Sequence, residues 1–262
     1  WTTLTLPAAL PANGIWAPDI VVDYRANMCY ITGGATAAGN GNLTTLYRYN
    51  PANNTATLLG NFTHIPGGFD FHAGWYVPWI GTSGGICVGG GVGSTVYADT
   101  QCYDIAAATF NPPNADLGPL PQPWWGMADM EKVHTGGRQL WLANGADAGW
   151  QTLRRSAYFS RDVGKFLYGP DLLYTAYRVE GTAVGDQVYV VNGSAGSFDP
   201  RTWNEQLLPC PECDCGVDVS KDVSADWVYP GEVVTYTVAI TAPDWLSGTA
   251  ELVDALPDGM NF

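Results

Sequence analysis

The sequence predicts an all-β chain: four small, similar antiparallel sheets followed by part of a second β module. Three observations predict it. A strand–turn–strand phrase returns four times, glycine, proline and aromatic residues are abundant (Gly 32, Pro 18, aromatic 13%), and no long stretch carries apolar residues at helical spacing. Self-similarity at roughly 50 residues marks a unit that cannot bury both faces of its sheet without neighbours, which is the logic of β-propeller blades.

The phrase is an apolar run, a Gly-Gly or Asn-Gly pair, then an aromatic strand ending in an Asp or Asn turn. The copies open at Cys29–Gly34, Ile86–Gly90, Leu140–Gly145 and Val188–Gly193. Their second halves are Leu46–Pro51, Thr100–Asp104, Ser156–Asp162 and Ser197–Pro200. Each apolar run is short enough to be the inner strand of a blade, covered on both faces by adjacent blades. The Gly or Asn after it accepts a positive backbone dihedral, so the strand can turn away sharply. Aromatic residues in the next strand fill the wedge between blades. Asn50-Pro51 and Asp199-Pro200 are turns, with Pro fixing one dihedral and the Asx side chain capping the other end.

These residues resemble the kelch repeat over 1–209, best in the first and fourth copies. The second copy departs from the pattern, with Ala106-Ala107-Ala108 where the turn residues belong. The resemblance implies a kelch-like propeller with four visible blades and says little about activity, since propellers host many. Trp1–Pro7 and Trp203–Pro209 share Trp, Leu and Pro at matching offsets, and both read as the outer strand that finishes a repeat. Either Trp1 follows a cleavage or truncation within a larger propeller, or the first strand joins another sheet to lock the ring. With neither an initiator Met nor a signal peptide, the chain reads as a processed or excised piece.

Six cysteines bear on the compartment. Cys87 and Cys102 fall on strands expected to be neighbours in the second blade, within disulfide reach. Cys210, Cys213 and Cys215 crowd the junction at 210–216, and two of them are expected to pair with each other or with Cys29. A Cys-x-x-Cys-x-Cys metal site is the rival, but it has no second pair and no nearby His. Paired cysteines fit a secreted or cell-surface protein. Asn42, Asn53 and Asn61 head sequons in the first copy and are candidate glycosylation sites, and Asn192 heads a fourth that is poorly placed.

From 217 to 262 the pattern changes. Val217–Lys221 alternates, Tyr229–Glu232 is a turn, and Val233–Ile240 and Ala250–Asp254 are β-rich. With Asp254-Ala255-Leu256-Pro257-Asp258-Gly259-Met260-Asn261-Phe262, the segment resembles the repeated Ig-like domain of bacterial and archaeal surface proteins. That implies a β-sandwich, a surface location and a stalk or adhesive role. A complete sandwich needs about seven strands in about 100 residues, so a partial one wants a strand from elsewhere, by β-augmentation from a neighbouring subunit for example.

Net charge of −14 argues against nucleic acid and anionic lipid, and no run approaches a membrane span. A propeller followed by an Ig-like module also resembles copper radical oxidases of the galactose oxidase type. Those require a Tyr-His pair and a His in the trailing domain, and His64, His72 and His134 supply neither. Ser160–Phe166 looks like a sialidase Asp-box, a structural turn, and the adjacent Arg154 and Arg155 would point to opposite faces of a strand. Asp70-Phe71-His72 and Asp129-Met130-Glu131 are the places to seek an acid–base pair, and Asp147 reads as an Asx turn that could hold calcium. Trp75, Trp79, Trp124, Trp125, Trp141 and Trp150 could form an aromatic platform for sugar rings on a propeller rim, though Trp commonly fills blade interfaces; Trp124 and Trp125 are the best candidates for an exposed ring, since neighbours in a strand face opposite ways. The reading is therefore a non-enzymatic, secreted or cell-surface structural or adhesive protein, without cofactor or metal. It works in a filament or layer by self-association or with another surface protein. A propeller appendage of a larger secreted enzyme, such as a subtilisin-like peptidase, and a glycan-binding module are the alternatives.

Overall fold

The computed structural model describes residues 5–37, 40–134, 137–184, 187–191, 193–196, 199–207, 218–223 and 235–241. Every regular element among them is a strand. Sheet one orders β1 (Asp19–Asp23), β2 (Met28–Thr32), β5 (Thr45–Asn50) and β6 (Thr55–Asn61); β3 (Ala35–Ala37) and β4 (Asn40–Asn42) form a small ribbon of their own. Sheet two runs β7 (Ala73–Val77), β8 (Gly85–Gly89), β9 (Thr100–Asp104), β10 (Thr109–Phe110). Sheet three runs β11 (Ala128–His134), β12 (Gly137–Ala143), β13 (Ser156–Ser160), β14 (Lys165–Tyr168). Sheet four has β15 (Glu180–Val184), β16 (Gln187–Val191) and β17 (Asn204–Leu207). All are antiparallel meanders, and the four sheets stand around an axis like the blades of a four-bladed propeller.

The apolar runs β2, β8, β12 and β16 are the second strands of their sheets, inner strands with a neighbour on each edge. The strands that meet around the axis are β1, β7, β11 and β15, whose residues line a central channel. β1, β11 and β15 carry Asp, Glu and Thr where they meet the channel and were inconspicuous in sequence, whereas β7 (Ala-Gly-Trp-Tyr-Val) is buried throughout and reaches the channel only at Gly74. Apolar clusters fill three gaps between blades. Val21, Tyr30 and Leu46 meet Tyr76, Ile86 and Val88 between sheets one and two. Trp75, Cys87 and Trp124 meet Leu140, Leu142 and Phe166 between two and three. Ala128, Met130 and Ala143 meet Val188 and Val190 between three and four. Among the described residues no such cluster joins sheet four to sheet one.

The recurring glycine pair has a definite task. One glycine at each strand exit sends its N–H to the next blade: Gly34 to Phe69 O at 2.8 Å, Gly91, one residue past the Gly89-Gly90 pair, to Trp124 O at 2.8 Å, and Gly145 to Ala176 O at 2.7 Å. All three have positive φ, and a Cβ on Gly34 would stand 2.8 Å from the Trp16 carbonyl oxygen. Approach this close excludes a side chain. Where the third copy has Asn144 in place of the first glycine, its buried amide donates to Leu153 O and Tyr174 O. The irregular second copy still turns, because Asp104 Oδ1 accepts the N–H groups of Ala106 and Ala107 and Ala108 takes φ 54°.

Cys87 and Cys102 are bonded as expected, being directly opposite in the β8–β9 register. Cys29 lies half-buried on β2 and carries no disulfide among the described residues; Cys210, Cys213 and Cys215, expected to pair with each other or with Cys29, lie outside those residues. Trp203–Pro209 was expected as an outer strand. Its described part, β17, is the edge strand that ends sheet four among the described residues, paired with β16 so that Val191 stands opposite Asn204. Of the matching first segment, residues 1–4 fall outside the description, and Thr5 offers its carbonyl to Asn54 Nδ2.

The chain divides into two compact units, Trp1–Leu208 and Pro209–Phe262. In the second, β18 (Asp218–Val223) and β19 (Tyr236–Thr241) pair antiparallel from Asp218 opposite Thr241 to Val223 opposite Tyr236. The expected strand at 250–254, the turn at 229–232 and the closing motif at 254–262 lie outside the described residues.

Candidate functional site

Two residues before each innermost strand, the chain does the same unusual thing. Ala17, Phe71, Gly126 and Arg178 all have positive φ, at 46°, 49°, 61° and 54°. Each follows a bridged residue, in the pairs Trp16 with Ala35, Asp70 with Val92, Trp125 with Ala146 and Tyr177 with Ser194. One position in each blade thus repeats the left-handed kink, and only one of the four is glycine. For Phe and Arg this region is sterically costly, by about 1–2 kcal/mol each, and persists only where surroundings impose it. The imposing contacts are backbone ones. Gly126 N–H donates to Phe71 O at 2.8 Å, and Arg178 N–H donates to Gly126 O at 2.6 Å, carrying a hydrogen-bonded relay from blade to blade around the aperture.

An aromatic rim sits on this kinked ring. Trp16 meets Phe71 edge to face at 4.9 Å, Phe71 meets Trp125 at 5.8 Å, and Trp125 meets Tyr177 at 5.1 Å and Trp150 at 4.8 Å. The Arg178 guanidinium, coming from blade four, lies 4.7 Å above the Phe71 ring of blade two and 5.2 Å from Tyr177. Asp70 is buried nearby; burial pushes its carboxyl up to about 6, against the pull of its own backbone N–H and of Arg178.

Trp124 and Trp125, expected to present one exposed ring, are both buried. They do face opposite ways, but each side is covered. Trp124 enters the core between sheets two and three, with its indole N–H donated to Asn144 O, while Trp125 lies beneath Trp150 and beside Tyr177. The exposed rings of the rim are Trp150 (63% exposed) and Trp16 (38%). Trp150 itself has φ 62° and rides a turn in which Asp147 Oδ1 accepts the N–H of Gly149 and of Gln151, and Asp147 N–H donates to Gln151 O. Asp147 is thus an Asx turn. Sequence could not flag Ala17, Phe71 or Arg178, because a positive φ at a non-glycine residue leaves no mark in composition.

Along the axis, a channel of about 470 Å³ is lined by Asp19, Asp129, Glu131 and Glu180 among others. Burial raises Asp19 to about 7 and, reinforced by the charges of Asp19 and Glu180, lifts Asp129 well above the usual range; Glu180 is raised by burial too. These carboxyls also serve the fold, since Glu131 accepts the Tyr76 N–H and Asp19 Oδ1 accepts that of Ile20. Gly74 makes room for them: a Cβ there would lie 2.2 Å from Asp19 Oδ2. Among the described residues no group of three or more His, Cys, Asp or Glu is placed to hold a metal ion.

Asp70 and His72, sequence neighbours, are separated in role. His72 Nε2 lies 2.7 Å from Thr32 Oγ1, and burial followed by the nearby His64 lowers it to about 3. His64 is lowered to about 4 by burial. Both rings are neutral at physiological pH. Of the sequon asparagines, Asn53 and Asn61 are exposed, while Asn42 is half-buried with its amide on Val92 O. Asn53 Oδ1 already accepts the Thr55 hydroxyl at 2.6 Å.

No known family profile matches the chain, and no curated protein does either. Among solved structures, one titled "Structure of YjhT" is similar, with a TM-score of 0.57 over 79% of this chain and 68% of that one. At 14% identity the likeness extends to the fold. No helix among the described residues is long and apolar enough to cross a membrane.

Proposed function

We propose that this chain is a non-enzymatic, extracellular or cell-surface protein with a structural or adhesive role, working as part of an assembly. The observation that carries this reading is the outward face of sheet one. Ile20, Ile31, Tyr47 and Leu58 stand opposite one another across all four strands, forming an apolar row. Val22, Cys29, Tyr49 and Ala56 form a second row beside it. This is the face turned from blade two, whose side is taken by Val21, Tyr30 and Leu46. Ile20 and Leu58 are more than half exposed.

The corresponding face of sheet four is the more polar, although Val184 and Val191 lie on it too. Its outward row is Thr182, Tyr189 and Gln206, knitted by Tyr189 Oη to Gln187 and Gln206 Nε2 to Gln187, each at 2.6 Å. Ile20 and Val22 line an open cavity with Thr182 and Ala183, and this mismatch of an apolar with a polar face supports another subunit as the partner of sheet one. Within the row Tyr47 is buried and Ile31 half-buried, and the exposed apolar side chains at its two ends, Ile20 and Leu58, support an interaction site.

Sedimentation of the 262-residue chain tests the proposal. The chain is expected to self-associate as concentration rises, and the double variant Ile20→Asp/Leu58→Asp to remain monomeric with an unchanged circular dichroism spectrum. A wild-type chain that stays a monodisperse monomer across the range overturns it.

A further inference from the structure

We propose that the rim of the axial aperture is a carbohydrate-binding site, in which the exposed rings of Trp150 and Trp16 stack on the C–H faces of uncharged pyranose units. This site is separate from the outward face of sheet one and stands whether or not the chain assembles.

The first argument is where strain collects. Among the described residues nine non-glycine residues have positive φ, and four of them are asparagines, which tolerate it. Of the other five, Ala108 belongs to the β9–β10 turn, and the remaining four (Ala17, Phe71, Trp150 and Arg178) all belong to this rim. Bulky residues held against their preference at one place on the surface point to a function there.

The second argument is what the rim offers to a ligand. Its bridging loop backbones are already satisfied: Trp16 exchanges hydrogen bonds with Ala35, Asp70 with Val92, Trp125 with Ala146, and Tyr177 with Ser194. An extended peptide recognised by strand addition would find no free edge in these bridges. Ring faces are what is available. Trp150 touches Trp125 in an edge-to-face contact, and at 63% exposure at least one face of its indole is open to solvent. Trp16 meets Phe71 likewise, at an interplanar angle of 85°.

The third argument is rigidity and charge. Trp150 is fixed by the hydrogen-bonded Asp147–Gln151 turn, so little conformational freedom is left to lose on binding. A chain of net charge −14 disfavours polyanions, nucleic acid above all, and a neutral polysaccharide meets no such repulsion. Flat apolar rings beside a fixed polar turn suit a ligand with one C–H face and a hydroxyl-bearing perimeter.

The test uses the whole chain and three probes, the hexaoses of β-1,4-glucose, β-1,4-N-acetylglucosamine and α-1,6-mannose, followed by calorimetry and tryptophan fluorescence. At least one hexaose is expected to bind. Trp150→Ala is expected to weaken that binding by about tenfold or more, Trp16→Ala by a smaller factor, and Trp150→Phe to keep most of the affinity. A Trp150→Ala protein that melts with the wild type shows that the loss is one of contact, and if it melts early, Trp16→Ala and Trp150→Phe carry the comparison. The proposal is overturned if none of the three hexaoses binds, or if binding is indifferent to both Trp150→Ala and Trp16→Ala.

Discussion

Replacing Gly145 by Ala should cost far more than replacing Gly164 by Ala, although both glycines sit in left-handed backbone, at φ 88° and 66°. Around Gly164 a new Cβ meets nothing within 4 Å. Its cost is then the dihedral alone, about 1 kcal/mol. At Gly145 the same Cβ would fall 2.6 Å from Trp124 Nε1 and 2.8 Å from the Trp125 carbonyl oxygen. Neither can retreat easily. The indole N–H is held on Asn144 O, and the carbonyl accepts from Ala146 N–H. Backing the chain away would also stretch the Gly145 N–H bond to Ala176 O that ties blade three to blade four, worth about 1 kcal/mol net. Dihedral, displaced neighbours and lost hydrogen bond together come to about 3–5 kcal/mol. For a unit of this size that is a fall of roughly 10 °C in melting temperature, against about 2–4 °C for Gly164→Ala. Thermal and urea unfolding of the two single variants measure it directly. If Gly145→Ala and Gly164→Ala unfold together, the glycine pair is a turn signal and the inter-blade approach plays no part.

Two further predictions concern buried chemistry. Asp19 binds its proton more tightly in the folded chain, with a pKa raised by burial from 3.8 to about 7, so stability should decline as pH rises from about 4 to 7 and stay reduced above. Asp19→Asn removes this penalty. It should gain about 2–4 kcal/mol on the wild type between pH 4 and pH 8 in urea titrations, whereas a pH-independent difference refutes the burial. The lowered pKa values of His64 and His72 act in the opposite sense, with stability rising toward pH 6.5, and cancel in the comparison because both proteins contain them. Reducing the Cys87–Cys102 bond, which spans 15 residues, or replacing both residues by Ser, should cost about 3 kcal/mol, read as a lower melting temperature with dithiothreitol. An unaltered melt would count against that bond.

What could be read from sequence follows from what each residue's neighbours are. Strands such as Ile86–Gly89 and Leu140–Ala143 are covered on both faces by other blades, so their apolar character is forced and visible. The Cys87–Cys102 bond was legible because adjacent meander strands of similar length place those residues opposite. The innermost strands were not legible, since Asp19, Gly74, Asp129 and Glu180 answer to a wet channel and to each other rather than to a core. Nor was the burial of Trp124 and Trp125. Two adjacent indoles do diverge, but whether each side is covered depends on blade three's Asn144 and on the Trp150 turn, which lie about 20 and 25 residues on.

The same contacts explain why the aperture can hold its shape while the repeats drift. Blade three has Gly126 where blades two and four have Phe71 and Arg178, and the reason is local: a Cβ on Gly126 would press 3.0 Å from Arg178 N. Glycine there lets Arg178 donate to the Gly126 carbonyl, and that bond fixes the backbone from which the guanidinium reaches across to Phe71. The rim is therefore not four independent loop ends. The kinks at Phe71, Gly126 and Arg178 are tied to one another by backbone bonds between blades, so side chains can vary from copy to copy while the backbone relay persists. A change that loosens two blades should distort the rim before it unfolds either sheet, because the rim's strain is sustained between blades and each sheet's ladder is complete within its own blade.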